Sequence, residues 1–146
     1  MMPPFDSAGI LPPGVHWASW DEVTNRFGSN PWRQRLITGL RAALQNLKNA
    51  GCQTVYLDGS FATSKNLPND YDACWEEAGV DPTALDPVLL TFDLGRATQK
   101  AKYMGELFPA SITAEPNGLS FYEFFQTDKH TGRPKGIIAI DLGGFQ

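Results

Sequence analysis

Two carboxylates two residues apart, Asp70 and Asp72, follow a Gly59-Ser60 pair after nine intervening residues, and the chain's chemistry concentrates there. Val55, Tyr56 and Leu57 before the glycine favour a strand, and Asp70-Tyr71-Asp72 opens a second short run that closes on Cys74-Trp75. Side chains alternate faces along a strand, so Asp70 and Asp72 share one face, ~7 Å apart at the backbone, with Tyr71 and Ala73 on the other. Carboxylates so placed suit a divalent metal, and with no His or Cys beside them they suit magnesium, which prefers hard oxygen ligands. A short helix starting within 61–64 would turn free backbone N–H groups toward a phosphate.

Gly-Ser, nine residues, then acid-apolar-acid resembles the signature of the polymerase-β-like nucleotidyltransferase superfamily. Nearly the whole chain also resembles a family of small uncharacterised bacterial and phage proteins described as nucleotidyltransferase-like. The resemblance implies that Gly59 and Ser60 lie against a nucleotide's phosphates and that Asp70 and Asp72 hold magnesium in a two-metal site. It also implies a third acid from a later strand, often within an apolar-Asp-Leu run. Ile140-Asp141-Leu142, ending the apolar run 136–140, looks like that element, so Asp141 is the expected third acid. Asp128 is its rival, at a strand end where a carboxylate more often shapes a turn. Lys65, between the motif halves, and Lys100, with Arg96 as alternate, are the expected cations for phosphate charge. One departure is Asp58, which precedes Gly59 where the superfamily usually has an apolar residue.

The implied reaction is magnesium-dependent transfer of a nucleoside monophosphate from an NTP, with ATP the expected nucleotide, to a protein, RNA or small-molecule acceptor. Lys129, His130, Arg133 and Lys135 could meet a polyanionic acceptor. A second reading is a non-catalytic partner protein of a toxin-antitoxin or phage-defence pair that uses the nucleotidyltransferase shape as a binding surface. Larger superfamily members carry an extra helical domain, so the missing grip would come from a helical partner or a homodimer.

Positioning these residues requires a scaffold, and the implied one is α+β: a single nucleotidyltransferase-like mixed sheet with helices packed mainly on one face. Residues 1–14, rich in Pro and Gly, read as an extended arm tethered by Phe5, Ile10 and Leu11, and 15–146 as one domain. Ser19 with Glu22 predicts a capping box for a helix to Phe27. Asn30 and Pro31 start a longer helix to about Asn49, stopped at Gly51, with an apolar stripe from Trp32 to Leu47 and Arg33, Arg35, Arg41 and Lys48 largely outside it. Asp81-Pro82 and Asp86-Pro87 predict short capped turns, after which Val88, Leu89, Leu90 and Phe92 should cover core. A helix follows over 96–107, ended by Pro109. The remainder reads as β structure: 111–114, a turn at 116–118, a strand over 119–127, a polar loop, and a strand over 136–142 that pairs with the preceding one as a hairpin.

Composition bounds the partners. With 146 residues, 42% hydrophobic, nine Phe and four Trp, the chain suits one globular core. A net charge of −4 argues against a general nucleic-acid binder. Residues 58–93 hold eight acids and one base, a field that repels a triphosphate unless cations intervene. No run approaches the ~20 apolar residues of a membrane span, and no signal-peptide pattern opens the chain, so a cytoplasmic protein is expected. Cys52 and Cys74 lack metal-ligand spacing and read as buried free thiols. His16 and His130 have no triad or metal partner in the sequence, and GxxxxGK, GxGxxG and GxSxG motifs are absent.

Overall fold

The structure, a computed structural model, describes residues 2–114 and 118–145. Its first strand, β1 (Gly14–Ala18), was not expected; residues 2–13 before it carry no helix or strand, although Leu11 and Met2 are buried and Phe5 packs on the core. Helix α1 (Trp20–Phe27) opens with the expected box: the Ser19 hydroxyl accepts from Glu22 N, and the Glu22 carboxylate accepts from Ser19 N. Helix α2 (Pro31–Asn49) opens on Asn30, whose side chain accepts from Arg33 N, and buries Leu36, Leu40, Leu44 and Leu47, each worth ~2 kcal/mol of apolar burial. Strand β2 (Thr54–Asp58) leads through a 3-10 turn at Ser60–Ala62 to β3 (Tyr71–Trp75). Asp81 and Asp86 cap short 3-10 turns through Thr83 N and Val88 N. Leu89 within the second turn is buried, whereas Leu90 and Phe92 stand exposed.

The next segment corrects the expected 96–107 helix. Helix α3 covers only Ala97–Tyr103, and Gly105–Pro109 is strand β4. Met104 turns left-handed at φ 66, ending the helix. Gly105 then presses on the Tyr71 ring, where any Cβ would lie 2.5 Å from a ring carbon. Tyr71 is itself held by donating its hydroxyl to Tyr103 O at 2.8 Å. The buried Gln99 amide accepts from Leu107 N at 2.8 Å and donates to Val88 O at 3.2 Å, so α3 braces the outer edge of β4.

The expected strand at 119–127 is a helix over much of its length, α4 (Phe121–Phe125), with Ser120 and Glu123 forming a second capping box. Strand β5 (Gly136–Asp141) therefore has no hairpin partner there; it pairs parallel with β1 and antiparallel with β2. Its continuous Ile-Ile-Ala-Ile run, buried on both faces, belongs in a sheet interior. Of the expected turn at 116–118, Pro116 and Asn117 lie outside the described residues.

The result is one α+β domain with a mixed five-stranded sheet in the order β1-β5-β2-β3-β4. One face carries Val55, Leu57, Tyr71, Ala73, Trp75, Leu107, Ile138 and Ile140 against α1, α2 and α3. The other carries Tyr56, Cys74, Phe108, Ile137 and Ala139, covered in part by the aromatic side chains of α4. No helix among the described residues is long and apolar enough to cross a membrane.

Candidate functional site

Sheet register gathers the acids. Asp58 on β2 lies opposite Asp72 on β3, and Asp72 opposite Glu106 on β4. Each is an even number of residues from a side chain on the α4 face, so all three project there, the face away from the main helical layer. Asp70, two residues before Asp72, joins them. Carboxylate oxygens of Asp70, Asp72 and Glu106 come within 4.8 Å of one another. Cations stand at both sides: Lys135 Nζ lies 2.8 Å from Asp58, Lys100 Nζ 3.3 Å from Glu106 and 3.9 Å from Asp70, and Arg96 Nη2 3.0 Å from Glu106.

Four carboxylates among three cations leave excess negative charge in a partly dry place. Burial, then the charges of Glu106, Asp70 and Asp58, push the Asp72 carboxyl well above its ordinary range, and it shares a hydrogen bond with Glu106. Burial and Glu106 raise Asp70, opposed by Lys100 and Arg96. Burial raises Asp58 too, against the pull of Lys135. The row is thus held at an electrostatic cost that a bound cation would relieve.

The Gly59-Ser60 turn lies against this row. Gly59 takes φ 82, and a Cβ there would meet Asp72 Oδ2 at 2.8 Å, so the position needs glycine both for its backbone and for its space. The loop that follows is clamped by Arg33, which is only 3% exposed. Its guanidinium donates to Phe61 O at 2.8 Å, Thr63 O at 2.9 Å and Lys65 O at 2.6 Å, and more weakly to Phe27 O. An arginine expected on the solvated face of α2 instead holds the turn in place, with carbonyls as its partners.

Of the residues expected at the site, Gly59, Asp70, Asp72 and Lys100 come together, with Ser60 adjoining Gly59. Asp141 does not. It pairs with Thr54, at the opposite end of β2 from Asp58, about 13 Å away along the strand. There it is exposed and accepts from Gly143 N at 2.9 Å, opening a 3-10 turn. The later-strand acid beside Asp72 is Glu106. Its signal lay in Gly105, which ends a helical reading, followed by the strand-like Leu107-Phe108. Asp128 shapes a turn, its carboxylate accepting from His130 N at 2.9 Å. Lys65 is exposed in the clamped loop. Lys135 meets Asp58 rather than solvent, and His16 Nε2 lies 2.6 Å from Pro12 O. Cys52 and Cys74 are buried thiols, Cys52 pushed up to about 11 chiefly by burial.

An all-oxygen donor set from two neighbouring strands, crowded by like charge and free of His and Cys, fits a hard divalent cation such as magnesium. Fold and site together define a small α+β domain with a carboxylate cluster on the open face of its sheet. The chain belongs to the family of unknown function DUF6932, whose model matches residues 3–141. No curated protein and no solved structure matches it.

Proposed function

We propose that the protein is a magnesium-dependent nucleotidyltransferase of the polymerase-β-like type, with Asp70, Asp72 and Glu106 as its acids. One observation carries the reading: these three carboxylates converge directly beside the Gly59 turn. The order helix, strand, Gly-Ser turn, acid-bearing strand is the one that the superfamily resemblance implies, and Glu106 takes the role first expected of Asp141. When bound, magnesium would neutralise the triphosphate and lower the pKa of an acceptor hydroxyl. Asp70, Asp72 and Glu106 would hold the cation, and the Ser60–Ala62 turn would orient phosphate oxygens. Lys100, already within reach of Glu106 and Asp70, supplies further positive charge. The acceptor oxygen would form a bond to the α-phosphorus as its proton passes to solvent water and the bond to the leaving pyrophosphate breaks. The acceptor is a protein, RNA or small-molecule hydroxyl, and the expected nucleotide is ATP.

Incubation with each α-labelled NTP, magnesium and cell extract should transfer label, and an Asp70→Asn/Asp72→Asn double variant should not. Calorimetry should show ATP binding in magnesium and little in EDTA. Equal ATP affinity in both, or a double variant that binds like the parent, overturns the proposal. Those outcomes would favour the non-catalytic partner reading, which draws on a separate observation: Lys135, Lys100 and Arg96 already pair with the acids from within the chain.

A further inference from the structure

The acid row opens into a cleft of about 400 Å³ that runs along the same face of the sheet from Asp72 and Glu106 to α4. That volume suits one small-molecule ligand. Its far end is aromatic. Phe121 stacks on Phe108 with ring centroids 4.0 Å apart and planes at 5°, Phe92 lies nearly parallel to Phe108 at 5.9 Å and 12°, and the Arg96 guanidinium stands 5.6 Å over the Phe108 ring. Phe92 and Ile112 leave 42% and 47% of their surface in water, although both line this cleft. The two ends differ in kind: carboxylates with their cations at one, flat apolar rings at the other. Among the described lining side chains, Thr113 alone adds a neutral polar group.

We infer that the aromatic end receives the base and sugar of the same nucleotide whose phosphates meet the acids, and that it holds the base by stacking rather than by reading its edge. The inference rests on the transfer reading for the phosphates and adds the site for the ring. Both halves of the ligand fit one continuous cleft, with the charged end fixed by Asp72 and Glu106 and the exposed Phe92 ring at the other end, backed by the stacked pair Phe108 and Phe121. One hydroxyl cannot distinguish four bases, so the site tolerates base identity and favours purines, whose larger rings stack better.

The test separates ring from phosphate by titrating the full chain with adenosine, uridine and inorganic triphosphate, each in EDTA and in magnesium. Adenosine should bind without metal and more tightly than uridine. Phe92→Ala and Ile112→Glu, both at exposed positions, should each weaken adenosine roughly tenfold, with unchanged circular dichroism showing that the variants fold. A protein that binds magnesium triphosphate but not adenosine, or whose adenosine affinity neither variant changes, overturns the inference. Adenosine binding that responds to both variants in a protein indifferent to magnesium triphosphate supports the ring site and overturns the transfer reading instead.

Discussion

The two ends of the central strands treat their carboxylates in opposite ways. At one end Asp58, Asp70, Asp72 and Glu106 stand among one another, partly buried; burial raises the carboxyls of the first three, and repulsion from neighbouring acids adds to it at Asp70 and Asp72. At the other, Asp141 faces water and is satisfied by a backbone N–H two residues on. The difference arises from register. Three adjacent strands place an acid at the same level on the same face, whereas Asp141 has Thr54 beside it. A strand-end carboxylate becomes a candidate ligand where its neighbours leave it in need of a cation, and a turn cap where they do not.

The largest effect is expected at the Arg33 clamp behind the crowded end. Arg33→Met keeps the apolar stem but leaves the carbonyls of Phe61, Thr63 and Lys65 without their donor, and should cost on the order of 3 kcal/mol in urea denaturation. A change of a few tenths would mean the loop carries its own stability. Next, magnesium at about 100 times its Kd should stabilise the parent by about 2.7 kcal/mol, raising Tm by roughly 5–10 °C. Asp72→Asn should remove that rise and Asp141→Asn should keep it; the reverse pattern would return the metal site to the other end of the sheet.

A smaller effect concerns pH. Because the folded Asp72 carboxyl titrates above its unfolded range, the folded state holds a proton that the unfolded state gives up. The stability this contributes is complete below the ordinary Asp range and is lost as pH rises through the raised value. In EDTA, Tm should therefore fall as pH rises above the ordinary Asp range; Asp72→Asn should flatten that slope and Asp141→Asn leave it unchanged. The smallest effect is at the quiet end, where Asp141→Asn should cost about 0.5 kcal/mol because the amide oxygen still accepts from Gly143 N.

Much of the scaffold was legible because its signals are local. The caps at Ser19 and Asn30, the stripe of α2 and the Asp-Pro turns each depend on residues a few positions apart. Two misreadings had local evidence against them: Gly105 argued against a helix running to Leu107, and Ser120-x-x-Glu123 is a capping box that marks α4. Arg33 had none. Nothing beside it in the sequence announces that its guanidinium will meet carbonyls about 30 residues away.

The residues alone were enough to place a Gly-Ser turn after one strand and two same-face acids at the opening of the next, since period-two alternation and nine intervening residues leave little freedom. Which acid joins them was decided only in three dimensions. Asp141 had the better motif, but β5 runs antiparallel to β2 and carries that residue to the far end. Glu106 had the weaker motif, but β4 runs parallel to β3 and sets it opposite Asp72. Strand order and direction come from burying both faces of the sheet at once, a requirement spread over the whole chain that no short window of residues contains.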